Sequence, residues 1–317
     1  MADWLAARAT ADPQRDPGAG MSVPPKLAQV DAVVLTMNDR PEEFPKAMAS
    51  LLAQQGIDLR VVIVGNGCHP DHVPEGVKVV TLPENVGIPE GRNVGAAALA
   101  GPDAGEYLFF FDNDAVLPTH DVLAQLVAQA RRHPEAAYIQ PRISDPDTGV
   151  TVRRWVPRLR AGDPTRPGTV TTMAEGVLLV RRETFDRVGG WPGHFFLYHE
   201  GFDLAFRIWD AGHTGWYAPE VIVHHPATDP ARHALYMRLV ARNRVWVAYR
   251  RLPALLVPLY IGAWIGITSY RTLSSPRALA TWFVGLWEGL RGGHGERSPI
   301  SWTTVWRLTR AGRPPVL

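Results

Sequence analysis

Cysteine is almost absent from this chain: Cys68 is the only one in 317 residues. An intrachain disulfide and a cysteine-rich zinc site are therefore excluded, and a reducing compartment suits the composition. Lysine is scarce too, with three residues against thirty arginines. Neither a G-x-G-x-x-G fingerprint nor a P-loop occurs, which removes two common glycine-rich phosphate cradles. Residues 1–27 contain Ala, Pro, Gly and charge but no apolar run of the signal-peptide kind, and they read as a disordered arm.

What is present belongs to a globular protein with a real core, 46% hydrophobic and 20% charged, in one large domain or two modest ones. The net charge of +2 hides a division. Residues 226–317 hold thirteen Arg, no Lys, three acids and six of the eleven Trp, so the front of the chain is acidic and the back basic and aromatic. The two parts are suited to different tasks, and the expected organisation is an arm at 1–27, a catalytic domain at 28–230 and a helical region at 231–317.

Short apolar runs at residues 30–36, 59–64, 77–82 and 107–111 predict buried strands. Helical spacing at 41–55, 91–100 and 122–132 falls between and after them. That alternation predicts a parallel α/β sheet covered on both faces, with ligands at the carboxyl ends of its strands. Residues 141–175 read as loop-rich, with strand-like stretches at 150–155 and 169–172. Further strands are expected at 176–180 and 216–223, and helices at 202–211, 235–249 and 277–290.

Four groups of residues could carry chemistry. Asp112-Asn113-Asp114 ends a very apolar strand; carboxylates there are costly unless paired or bound to a cation, and hard divalent ions favour such ligands. A bland alternative is an Asx-rich turn. Glu200 and Asp203 lie three apart at a helix start, where acids also favour the macrodipole. His224-His225 follow an apolar strand and could complete a metal shell. Asn85–Gly95 places glycines and Arg92 at a helix start, an arrangement suited to a diphosphate.

In this order the pieces resemble family 2 glycosyltransferases of the GT-A fold, in particular a rhamnosyltransferase-like bacterial branch. The matching segments are Thr36-Met37-Asn38-Asp39-Arg40, Asn85 through Gly95, Asp112 through Asp114, Val188 through Arg207, the histidine pair, and Arg242-Asn243-Arg244. The resemblance runs from about residue 30 to about residue 291. It implies an α/β fold with a mostly parallel central sheet flanked by helices, plus a C-terminal helical region. It implies inverting transfer of a hexosyl or deoxyhexosyl group from a UDP, dTDP or GDP sugar to a carbohydrate or lipid-linked hydroxyl acceptor, with Mn²⁺ or Mg²⁺. Thr36, Arg40, Asn66, Gly87, Arg92, Asn93, Asp112, Asn113 and Trp191 would meet the nucleotide sugar. Asp112, Asp114 and His224 or His225 would hold the metal. Glu200 would be the base, with Asp203 in reserve.

The sequence departs from the family pattern in two places. Gly65 stands where an Asp usually precedes Asn66, which bears on the choice of base, and Gly201 stands where a second acid usually follows Glu200. The second departure leaves open a degenerate GT-A scaffold that binds nucleotide without turnover. A nucleotidyltransferase is a third reading, opposed by the lack of a glycine-rich pyrophosphorylase loop.

The uncharged run at 252–270 has Arg on both sides but is interrupted by Pro253, Pro258, Gly262 and Gly266. An interfacial or re-entrant helix on the cytoplasmic face fits it better than a span, with an ordinary packing or dimer helix as the other reading. The expected setting is peripheral, on the inner face of the cell membrane, with no nucleic-acid partner and with a homodimer as an option.

Overall fold

A computed structural model describes residues 26–160, 162–228 and 235–317. Nearly all of the proposed N-terminal arm, and the boundary placed at 230/231, lie outside the described residues. Among those residues the elements run β1 (Ala28–Thr36), α1 (Glu43–Leu52), β2 (Ile57–Asn66), β3 (Lys78–Leu82), α2 (Ile88–Ala98), β4 (Tyr107–Asp112), α3 (Val122–Arg132) and β5 (Ala136–Ser144). They continue with β6 (Gly168–Val170), β7 (Val177–Arg181), α4 (Arg182–Arg187), α5 (Glu200–Asp210), β8 (Thr214–His224), α6 (Tyr236–Arg251), α7 (Leu256–Arg271), α8 (Pro276–Arg291) and α9 (Trp302–Arg310).

The strands form one sheet in the order β3-β2-β1-β4-β7-β5-β8-β6. Pairs β1/β2, β1/β4, β2/β3 and β5/β8 are parallel, whereas β7 runs antiparallel to β4 and β5, and β6 antiparallel to β8. The central strands are buried on both faces, which is why they read as continuous apolar runs such as Tyr107–Phe111, fully or almost fully buried. One face packs α1 and α3 through Met48, Leu51, Leu123 and Leu126, and the other packs α2 and α5 through Ala96, Leu204 and Ile208.

Three sequence expectations are corrected. Strand β5 was hidden because Pro141 and Arg142 break its apolar run, yet it pairs with both β7 and β8. Residues 150–155 form no strand; a 3-10 turn covers Arg153–Trp155. Helices α4 and α9 add to those foreseen, and α9 is capped by Ser301, whose side chain accepts from the Thr304 N–H.

The antiparallel setting of β7 positions the site. Its amino end, not its carboxyl end, meets the carboxyl end of β4: Phe111 pairs with Val177, and the Asp112 N–H donates to Gly176 O at 3.0 Å. The carboxyl ends of β1, β2 and β4 and the residues just before β7 therefore share one edge of the sheet. The chain leaving β8 joins them through a bridge between Val116 and His224.

The C-terminal helices pack against this unit. Phe195, Phe206 and Trp209 form an apolar cluster with Trp246, Val247, Leu252 and Tyr260. Among the described residues no helix is long and apolar enough to cross a membrane; residues 252–255 of the uncharged run lie outside any helix, and the rest falls in the sixteen-residue α7.

Candidate active site

A cavity of about 570 Å³ opens at the carboxyl edge of β1, β2 and β4. The buried Thr36 ends β1, and its hydroxyl accepts from the Asn38 N–H at 3.0 Å. Asn66 ends β2 and fastens the loop before α2: it donates to Asn85 Oδ1 at 3.0 Å and Gly87 O at 3.2 Å, and accepts from the Val86 N–H at 2.9 Å. Gly87, at φ +86°, passes so close to Phe196 that any side chain would strike that residue's backbone.

Asp112, Asp114 and His225 converge. Their ligand atoms all lie within 4.8 Å of one another. His225 Nε2 is 3.5 Å from Asp112 Oδ2 and 3.1 Å from Asp114 Oδ1. Its Nδ1 donates to Pro226 O at 2.9 Å, which fixes the ring with Nε2 toward the carboxylates. Burial opposes charge on this imidazole, but the hydrogen bonds and negative charge of Asp112 and Asp114 prevail and push it up to about 10. Burial would also raise Asp114; bonding to His225 and the nearby Arg40, whose Nε is 3.3 Å away, hold it below the ordinary carboxylate range. Two carboxylate oxygens and one imidazole nitrogen facing a cavity are a donor set for a divalent ion with positions left for oxygen ligands. His224, the other half of the pair, lies outside this group.

Arg92 reaches Asp112 from beneath. It is 3% exposed, donates from Nη2 to Asp112 Oδ1 at 2.9 Å, and lies 5.3 Å from the Trp191 ring. Asn113 donates to Asp39 Oδ1 at 3.2 Å at the mouth. Two other donor candidates face elsewhere. Asn93 clamps the backbone of Trp191, donating to its O and accepting from its N–H, both at 2.9 Å. Trp191 is 2% exposed and packs on Phe110 and Phe185 as core. Both hold Arg92 and the loop after α4 in place rather than lining the cavity.

The two candidate bases have different environments. Asp203 is fully buried and bound to Arg207 at 2.8 Å, Arg250 at 2.9 Å and Arg251 at 2.8 Å. Burial would raise it, yet Arg207, Arg251 and Arg250 hold it down to about 2. A carboxylate so neutralised, and outside the residues that line the cavity, ties α5 to α6, which weighs against its expected place as reserve base. Glu200 is 1% exposed, and its Oε2 is buried without a hydrogen-bond partner. Burial raises it above the usual range.

Sequence reasoning missed Glu175. It precedes β7, lines the cavity, and accepts from the Gly201 N–H at 2.6 Å. Burial and the charge of Glu200 push it well above the ordinary carboxylate range. The available signal was a lone acid between small residues at the start of an apolar run. Arg244 was named only within a motif; it also lines the cavity, stacks on Trp264 at 3.2 Å, and has no ion-pair partner among the described residues. Its neighbour Asn243 holds the loop before α5, donating to Phe195, Leu197 and Tyr198 carbonyls at 3.1, 2.8 and 2.7 Å. Those bonds stabilise a segment in which Phe196, Tyr198 and His199 all have positive φ.

Known proteins bear on this geometry. Residues 31–189 match the family model described as glycosyl transferase family 2. An N-acetylglucosaminyl-diphospho-decaprenol L-rhamnosyltransferase of Mycobacterium tuberculosis is 28% identical over 266 residues, covering 68% of this chain and 85% of the relative. Two solved structures share the GT-A fold at low identity. GalNAc-T7 with UDP, GalNAc and Mn²⁺ has a TM-score of 0.59 and 17% identity over 91% of this chain, which spans 58% of that chain. A Pyrobaculum calidifontis mannosyltransferase with GDP-Man and Mn²⁺ has a TM-score of 0.53 and 19% identity, over 91% of this chain and 80% of that one.

Proposed function

The chain belongs to glycosyl transferase family 2 and is a glycosyltransferase; from that premise we propose that it moves a sugar from a nucleotide-sugar donor to a hydroxyl of a lipid-linked acceptor, with inversion. The observation that carries this reading is the convergence of Asp112, Asp114 and His225 on the cavity at the end of β4. These three side chains would hold Mn²⁺ or Mg²⁺, and the bound ion would neutralise charge on the donor's diphosphate. The solved relatives with UDP or GDP-Man and Mn²⁺ agree with such a site.

The chain's own residues supply the rest. Thr36, Asn66 and Arg40 border the nucleotide end of the cavity, and the Asn66-fastened loop through Gly87 sets the start of α2 against the diphosphate. Arg92 is fixed by Asp112 and Trp191 close to the reacting centre, where a preorganised cation stabilises the departing diphosphate. The acceptor hydroxyl attacks the anomeric carbon in line on the side of the Glu175/Glu200 carboxyl pair.

A lipid-linked acceptor is supported by Arg244. Arg244 is half-buried, donates to the Tyr260 hydroxyl at 3.3 Å and has no carboxylate partner among the described residues; a phosphate on the acceptor would supply the missing counter-charge. The rhamnosyltransferase of Mycobacterium tuberculosis is named for a diphospho-decaprenol acceptor. Leu255, Leu259, Tyr270 and Leu273 around α7, and Trp287 and Leu290 on α8, are each more than half exposed. With the surrounding arginines they form a surface for the inner face of the cell membrane.

The test is titration calorimetry with UDP, GDP and dTDP, each with and without Mn²⁺, followed by transfer assays with sugars of the nucleotide that binds. Metal-dependent binding of one nucleotide and transfer of its sugar are expected. Binding without transfer to any acceptor would favour a degenerate scaffold, and absence of binding by folded protein would refute the reading.

A further inference from the structure

We propose that Glu175 is the catalytic base, delivered from the segment before β7 into the space that Gly201 leaves open. The inference rests on the glycosyl-transfer reading above. Among the described residues four acids line the cavity: Asp39, Asp112, Asp114 and Glu175. Asp112 and Asp114 are committed to His225, Arg92 and Arg40. Asp39 stands at the mouth with its side chain 56% exposed, beside Arg40 and Asn113. Glu175 is the remaining one, and it has no arginine or lysine within ion-pair distance among the described residues.

Its place depends on the absence of a side chain at Gly201. A Cβ there would overlap Glu175 Oε1 and crowd the carboxyl carbon. With glycine, the same Oε1 instead accepts the Gly201 N–H at the first turn of α5, at 2.6 Å. That bond fixes the carboxyl group of a residue that lines the cavity. The carboxyl group of Glu200 interacts with Glu175 from the buried side. Glu200 is therefore a positioning residue, holding Glu175 without itself lining the cavity. Burial and Glu200 raise Glu175 well above the ordinary carboxylate range, and a hydrogen bond joins the two carboxyl groups; the acting form is the one in which Glu200 holds their shared proton and Glu175 is the carboxylate.

The step balances without a further reactant. The acceptor oxygen forms a bond to the anomeric carbon as its proton passes to the ionised Glu175 carboxylate. The bond from that carbon to the diphosphate oxygen breaks, and the leaving nucleoside diphosphate takes the electron pair. Glu175 then releases its proton to water.

The experiment compares wild type, Glu175→Gln, Glu175→Ala, Glu200→Gln and the double variant Glu175→Ala with Gly201→Asp. Each is assayed for transfer kinetics, Mn²⁺-dependent nucleotide affinity and thermal unfolding. Glu175→Gln still accepts the Gly201 N–H, so a structural role would be preserved; kcat is expected to fall about 100-fold or more with nucleotide affinity within about threefold. The double variant places a carboxylate on the Cβ position that points at the lost Oε1. It is expected to recover at least about tenfold in kcat over Glu175→Ala. Transfer by Glu175→Gln within about fivefold of an active wild type would overturn the base assignment alone, as would a larger kcat loss in Glu200→Gln than in Glu175→Gln. A wild-type chain that transfers no sugar would overturn the transferase reading and the base with it.

Discussion

His225 Nε2 lies 3.1 Å from Asp114 Oδ1, joining the chain that leaves β8 to the turn that follows β4. The bridge between Val116 and His224 puts those two segments side by side, and the Nδ1 bond to Pro226 O sets the ring. The contact makes one histidine of an adjacent pair, and not the other, part of the candidate metal site.

The two histidines should therefore behave differently. His225→Ala and Asp114→Asn are each expected to weaken Mn²⁺-dependent nucleotide binding about tenfold or more. His224→Ala is expected to leave it within about twofold of wild type. Calorimetry at fixed nucleotide with varied Mn²⁺ separates them. Equal losses in the two histidine variants would show that the assignment to His225 is mistaken.

Asp203 should be a stability residue. Asp203→Asn leaves Arg207, Arg250 and Arg251 without their shared counter-ion, at a cost of about 3–5 kcal/mol readable as a shifted denaturant midpoint. The wild-type carboxylate also gives a pH dependence. Its folded value, about 2, lies below the 3.8 of an ordinary aspartate, so its stabilisation is present above pH 3.8 and is lost as the pH falls from there toward 2. The expected loss is about 2 kcal/mol. An Asp203→Asn protein that melts like wild type but transfers no sugar would restore it as a candidate base.

Arg244 should sense phosphate on the acceptor. Arg244→Gln is expected to raise KM for a diphosphate-linked acceptor about tenfold or more, with donor affinity unchanged. Arg244→Lys should recover part of the loss, since it keeps the charge but not the guanidinium stack on Trp264. A KM unaffected in both variants would remove the phosphate-binding role.

The helices α7 and α8 should direct the protein to anionic bilayers. Wild type is expected to co-sediment with vesicles containing anionic lipid, and less so as salt rises. The pair Leu259→Asp and Trp287→Glu, in a chain that still unfolds cooperatively, should lower the bound fraction several-fold. Retention of full vesicle binding by that double variant would exclude this face as the contact.

Much of the sheet was legible because burial on both faces leaves uninterrupted apolar runs, as in β1, β2 and β4. The strand ends were legible too: Asp112 and Asp114 stand out because acids directly after Phe109-Phe110-Phe111 require a local reason. β5 was not legible, since Pro141 and Arg142 interrupt the pattern that marks a strand, and its pairing with β7 and β8 comes from distant segments.

By itself the sequence determined the family, the alternation of strands and helices, and the acids at the end of β4, all of which are local patterns. Tertiary structure decided which acids and which histidine come together. The antiparallel course of β7 carries Glu175 to the end of β4, although nothing near Glu175 in sequence points there. The packing of α6 on α5 brings Arg250 and Arg251 to Asp203 and ties it into an ion-pair cluster. His225 and not His224 joins Asp112 and Asp114 because adjacent residues of an extended chain project to opposite sides, and the side that faces the carboxylates is set by the segment bridged to Val116.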